Sequence, residues 1–186
     1  MFGQVRVQEE SATLSADSSS FAVQVLPHLD AAYNLARWLV RDATDAEDVV
    51  QTAVLRALSH FSSFRGENPR AWLLAIVRNC AYTWMQGRKR DPEPLAEDTD
   101  ERYRATPDPG PDPETQFGSA EERVHLGRLL ASLPPELREC LVLRELEEMS
   151  YQEIAEITSV PIGTVMSRLW RARRILIKQV ERSDAG

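Results

Sequence analysis

The chain has 186 residues, 42% of them hydrophobic, and a formal net charge of −7. That length allows one domain or two small ones of soluble, globular composition, although modules of about 70 residues are marginally stable alone. No apolar run reaches the length of a membrane span and none is flanked like a secretory signal, so membrane insertion is not expected.

The first 20 residues contain Glu9, Glu10 and five serines, a polar composition expected to be disordered. Charge is distributed unevenly after that. Residues 21–90 carry six acids and nine bases, a net of +3, whereas residues 91–120 carry nine acids and two bases, a net of −7. Residues 121–186 are nearly balanced, with eleven acids and ten bases. The total charge therefore hides locally basic surfaces, and local field decides which surface meets a polyanion.

The first module, 21–90, has a helical pattern. Leu26, Leu29, Tyr33, Ala36 and Val40 recur at three- and four-residue spacing. Thr44 followed by Glu47 has the form of a capping box opening a second helix, with Val50, Val54, Ala57 and Phe61 on its stripe. The loop Ser62 to Asn68 precedes Pro69, which suits the first turn of a third helix. At about 100° per residue, Leu73, Ile76, Val77, Cys80 and Trp84 share one arc, expected to be core. Arg78, Asn79, Tyr82, Gln86 and Lys89 share the opposite one, and Arg88, Lys89 and Arg90 close the helix. A solvated basic end accounts for this face. So does a platform for unpaired bases, since every base has a π-face and every nucleotide a phosphate.

Residues 91–120 hold six of the eleven prolines and almost no large apolar residues. Proline removes donors and like charges repel, so this is an acidic, extended linker. Solubilisation alone would explain it.

The second module, 121–182, carries a sharper pattern. Ser150-Tyr151-Gln152-Glu153 is a capping box, followed by Ile154, Ala155 and Ile157 as inner residues. Ser159-Val160-Pro161 breaks that helix, and Ile162 begins a longer one to about Val180. Two helices joined by so short a turn, with small Ala155 where they cross, describe a helix-turn-helix. On the second helix Ile162, Val165, Leu169, Ala172, Leu176 and Val180 form an apolar arc, with Arg173 beside them and expected to snorkel. Thr164, Ser167, Arg168, Arg171, Arg174 and Lys178 form a polar arc about 120° wide. Residues 162–182 carry six bases and one acid. Recognition helices place early side chains on base edges and later ones on phosphates, which assigns Thr164, Ser167 and Arg168 to bases and Arg171, Arg174 and Lys178 to backbone.

Leu133-Pro134-Pro135-Glu136, Leu141 to Glu145, Ser150 to Ala155 and Gly163 to Arg168 resemble region four of sigma-70-type factors. Asp45 to Gln51 with Leu55-Arg56-Ala57, Phe64-Arg65-Gly66, Ala71-Trp72-Leu73 and Ile76 to Asn79 resemble region two. With the acidic linker in place of other regions, the chain resembles the extracytoplasmic-function (ECF) subfamily. The resemblance implies an all-α protein of two small helical domains that directs core RNA polymerase to promoter DNA. It implies polymerase contacts at Asp45, Glu47, Asp48, Gln51 and Leu55. Minus-ten contacts are implied at Phe64, Arg65, Arg78, Asn79, Tyr82, Gln86 and Lys89, with the loop from Phe64 to Asn68 receiving a flipped base. Minus-thirty-five contacts are implied on the helix-turn-helix. It further implies an anti-sigma partner, and a linker path near the polymerase's RNA exit.

Glu148 and Ser159 depart from the family by standing where glycine is common, at a cost of roughly 1 kcal/mol each if the backbone there is left-handed. Thr52 replaces an acid common after the glutamine.

Two other classes fit less of the sequence. A conventional helix-turn-helix regulator would need a dimer interface or sensory domain, and a sigma mimic binding only an anti-sigma protein would leave the basic face without a purpose. An enzyme is not expected: His28, His60 and His125 are scattered, no metal-ligand spacing occurs, and no phosphate-cradling GxxxxGK run is present. No cofactor is implied. Cys80 and Cys140 stand alone, as small core residues of a cytoplasmic protein would.

Overall fold

The computed structural model describes residues 19–90 and 127–184. Most of the segment expected to be disordered, 1–20, and all of the linker, 91–120, lie outside these. Ser19 and Ser20 already belong to a helical turn that runs to residue 24. The chain divides into two compact units, and no strand occurs among the described residues, as the all-α pattern requires.

In the first unit a 3-10 turn, Leu26–His28, leads into α1 (Leu29–Val40), then α2 (Ala43–His60), a second 3-10 turn (Phe61–Ser63) and α3 (Pro69–Arg90). The buried stripes are rotated from those expected. On α1 the buried residues are Ala31, Ala32, Leu35, Ala36, Leu39 and Val40, while Tyr33 is half-buried and Leu26 lies in the preceding turn, 38% exposed. On α2 they are Ala46, Val49, Ala53 and Ala57, with Val50 and Val54 only half-buried. Alanines on the buried faces of two packed helices let the backbones approach closely, which pushes the branched side chains to the flanks.

The start of α2 also differs. Its N-cap is Asp42, in extended backbone, whose Oδ1 accepts from the Asp45 N–H at 3.1 Å; Thr44 lies inside the helix. Before it Arg41 takes φ 69° and ends α1 in a left-handed cap. α3 begins at Pro69 as expected, and Asn68 Oδ1 caps it by accepting from the Ala71 N–H at 3.0 Å. Leu73, Leu74, Val77, Cys80 and Ala81 are buried on α3, whereas Ile76 and Trp84 are half-buried. Burial pushes the Cys80 thiol above its ordinary pKa, against a smaller opposing pull from Arg56. Both cysteines are free and buried.

In the second unit, residues 127–131 are helical, followed by α4 (Pro135–Glu145), α5 (Tyr151–Thr158) and α6 (Ile162–Asp184). Its core is built from Leu133, Leu143, Met149, Ile154, Ile157 and Leu169, each less than 2% exposed or close to it, and each contributing about 1.5–3 kcal/mol by leaving water. Arg138 is buried as well, 4% exposed. Its guanidinium donates to the carbonyls of Leu130, Ala131 and Leu133 at 3.0, 3.0 and 2.8 Å. Pro134 and Pro135 follow these carbonyls and have no N–H to offer, so a side chain supplies the donors.

The Ser150 capping box forms in both directions: Ser150 N–H donates to Glu153 Oε2 at 2.8 Å, and Glu153 N–H to Ser150 Oγ at 3.2 Å. Glu148 and Ser159 both adopt left-handed backbone, φ 54° and 55°. After Ser159 the Val160 N–H reaches back to the Ala155 carbonyl at 3.1 Å, closing the turn before α6.

Candidate nucleic-acid interface

The rotation of α6 decides what it presents. Val165, Leu169 and Ala172 are buried at 0, 1 and 0% exposure, which turns Ser167, Arg171, Arg174 and Lys178 outward into solvent and leaves Thr164 half-buried. The hydroxyl of Ser167 donates to the Thr164 carbonyl at 2.9 Å, and Arg171 Nε donates to the Ser167 carbonyl at 3.3 Å, so both lie along the helix surface. Arg174 stacks over the Trp170 ring at 4.6 Å. Trp170, Arg171, Arg174 and Lys178 line an open groove of about 370 Å³ against the start of α4, which contributes Leu137 and one acid, Glu136. Cations and one exposed indole in a concave surface suit a polyanion with flat bases.

Two arginines of this helix are placed otherwise than expected. Arg168 is turned inward: its Nη1 stands 3.1 Å from Oε1 of Glu139, a carboxylate with no exposure, and the arginine side chain is only 17% exposed. Its guanidinium is thus held at the border of the buried face, whereas the sequence pattern places it free among the exposed cations. Arg173 does not simply snorkel; it donates to Glu145 Oε1 at 2.7 Å, and that hydrogen bond holds its pKa above the ordinary value. The ends of the expected apolar arc also surface, with Ile162 and Val180 each 40% exposed. They continue into an exposed apolar edge containing Met166, Trp170 and Ile177.

In the first unit the polar face of α3 is assembled in part. Arg78 lies over the Tyr82 ring at 4.5 Å and reaches Asn79 Oδ1 at 3.4 Å. Tyr82 is half-buried rather than wet, Asn79 and Gln86 are exposed, and Lys89 lies in the last turn. The loop before α3 is packed. Phe64 sits 4.7 Å from Trp72 and 6.2 Å from Phe61 between ring centroids, and Phe61 in turn meets Phe21 edge-on. Arg65 curls back, donating to the Ser62 and Phe64 carbonyls at 2.5 and 3.0 Å. A Cβ at Gly66 would meet Phe64 Cε2 at 2.8 Å, so a larger residue there requires that ring to shift.

On α2, Glu47, Asp48, Gln51 and Leu55 are exposed, Leu55 at 68%. Asp45 stands apart, half-buried at the capped first turn. Leu58, 44% exposed, extends the Leu55 face and was not anticipated. Trp170 was missed too, although an aromatic between arginines is the same signal that singled out Tyr82. Among the described residues no cluster of His, Cys, Asp and Glu has the make-up of a metal site. No helix among them is long and apolar enough to cross a membrane.

Residues 25–91 match the family model of sigma-70 region 2, and residues 123–176 that of sigma-70 region 4. The chain belongs to the sigma-70 family. It is 38% identical over 152 residues to the ECF RNA polymerase sigma-E factor of Haemophilus influenzae, covering 79% of each chain. It is 34% identical over 172 residues to the RNA polymerase sigma-H factor of Pseudomonas aeruginosa, covering 89% of this chain and 88% of that one. A solved complex of the sigma factor RpoE with the anti-sigma factor NepR from Bartonella quintana contains a similar fold, at TM-score 0.69 and 29% identity over 87% of this chain and 97% of that chain. Within its family the protein is an ECF sigma factor, a promoter-directing subunit for RNA polymerase.

Proposed function

We propose that residues 121–182 hold the minus-thirty-five element through α6, with Thr164 and Ser167 toward base edges and Arg171, Arg174 and Lys178 on phosphates. The observation that carries this is the side α6 buries: Val165, Leu169 and Ala172 face inward, which leaves Arg171, Arg174 and Lys178 on the exposed side. Residues 21–90 form the unit for core polymerase and the minus-ten element. Glu47, Asp48, Gln51 and Leu55 supply an acidic and apolar face to polymerase, and Asp45 acts as a first-turn residue beneath it. Arg78, Asn79, Tyr82, Gln86 and Lys89 hold the opened strand. For the loop at Phe64 and Arg65 to receive a flipped base, Phe64 must swing from Trp72 and Arg65 from Ser62, an expense added to the few kcal/mol of unstacking.

The acidic linker, 91–120, ties the two units so that binding at one element raises the local concentration at the other. The protein acts in the cytoplasm, where RNA polymerase is, without catalysing a reaction itself. An anti-sigma factor is its proposed inhibitor; the Bartonella quintana sigma factor is seen with one. A regulator acting without polymerase, or a mimic that only captures an anti-sigma factor, is not favoured, because both sigma regions are present in order.

The test is reconstitution. Core polymerase with this chain should start transcripts at defined sites on genomic template, and core polymerase alone should not. Absence of site-selected transcripts on every template would refute the proposal.

A further inference from the structure

Glu139 is a carboxylate with no solvent exposure, set in α4 between Arg138 and Cys140. A buried carboxylate is tolerated only when paired, and Arg168, 29 residues further along the chain, reaches it from α6. A second ion pair, Arg173 with Glu145, joins the same two helices at 2.7 Å, but both partners are about half exposed. The exposed pair is screened and contributes little, while the Glu139 pair is sheltered and directional.

That difference has a geometric result. Apolar contacts through Val165, Leu169 and Ala172 favour a buried face but tolerate small rotations, because the hydrophobic effect has no direction. Arg168 lies on the wheel about 40° from Ala172, at the border of the buried arc. A fixed bond at that border sets the angle of the whole helix, and with it where Ser167, Arg171 and Arg174 point. Resting on the assignment of α6 to promoter DNA, we infer that Glu139 is a specificity-determining residue that never meets DNA. It acts through Arg168, a positioning residue, to set the rotation at which α6 enters the groove.

The experiment uses the full chain assembled with core polymerase. Initiation is measured on a cognate promoter and on templates carrying each single base change in the minus-thirty-five element, over a range of salt. Glu139→Gln removes the charge with little change of shape, and Arg168→Gln removes its partner. Each should reduce discrimination roughly 2- to 30-fold, spread over several positions, with the salt slope unchanged. The doubly neutral variant should regain stability, because no unpaired buried charge remains, but not discrimination, because the directional bond is gone; full recovery of discrimination would overturn the inference. If Arg168→Gln instead relaxes one base position or lowers the salt slope by about one, while Glu139→Gln is silent, Arg168 touches DNA and the inference is overturned. Should either neutral variant fail to fold, Arg168→Lys decides. It keeps the ion pair and should retain most of the discrimination, whereas loss at one base pair would mark a fork-shaped base contact. Failure of the parent holoenzyme to discriminate any base change would instead sink the assignment of α6 itself.

Discussion

Replacing Arg138 with methionine keeps the aliphatic stem and removes the guanidinium from the three carbonyls it satisfies. One of them, that of Leu130, still accepts the Leu133 N–H at 3.1 Å. The carbonyls of Ala131 and Leu133 lose a charged donor beside two prolines that have none to give. The orphaned Leu133 carbonyl is buried and costs about 1–3 kcal/mol, that of Ala131 is part-buried and costs less, so the substitution should cost about 2–4 kcal/mol in all. A unit of this size has roughly 3–9 kcal/mol in total, so the variant should sit near the edge of unfolding. Hydrogen exchange on the full chain checks this directly, since protection in α4 should collapse while α1 to α3 keep theirs. Arg144→Met is the control: that arginine donates to a single carbonyl, of Met149 at 2.8 Å, and its loss should cost about 1 kcal/mol. A loss below about 1 kcal/mol for Arg138→Met would refute the view that this guanidinium closes the helix end.

Other substitutions test local features. Asp42→Ala should destabilise the first unit by about 0.5–2 kcal/mol, while Thr44→Ala should stay within about 0.5 kcal/mol in chemical denaturation; the reverse order would restore Thr44 as the cap. Ser159→Gly should relieve left-handed strain at an exposed position and, after the added flexibility of the unfolded chain, gain about 0.5–1 kcal/mol, seen as a rise of a few degrees in melting temperature. A fall would mean that the turn is not left-handed in solution. Gly66→Ala should cost about 1–3 kcal/mol through the displaced Phe64 ring and impair promoter opening more than minus-thirty-five binding. An unchanged opening rate would separate that ring from the opening step.

What the sequence revealed follows the range of the interaction. The Ser150 capping box spans three residues and was legible in full, as were the left-handed positions of Glu148 and Ser159 once the family pattern was known. Thr44 misled because Asp42, two residues earlier, offers an acceptor at the same spacing to Asp45, and the end of α1 at Arg41 decides between them. The wheel for α6 placed Ile162 and Val180 correctly by angle but carried no information on the partner's length. α4, with 11 residues, is about 17 Å long and α6, with 23, about 35 Å, so the longer helix overhangs its main support. Glu139 was invisible for another reason: nothing local announces that a carboxylate will be buried against an arginine 29 positions away. The contacts proposed with polymerase came from resemblance, since an exposed acid looks the same in sequence whether or not it has a partner, whereas the helix-turn-helix and its cationic arc were legible in the residues themselves.

The arginine-covered indole at position 170 gives the protein a built-in optical probe. Trp38, Trp72 and Trp84 belong to the first unit, so the difference between the emission of the parent and that of Trp170→Phe isolates one emitter beside the basic groove. Engagement of that groove by a duplex would shift Arg174 from the ring and change the colour and quenching of this light. With α6 on the minus-thirty-five element as proposed, its occupancy would be read from this difference in an unlabelled holoenzyme, separately from events at the other end of the promoter.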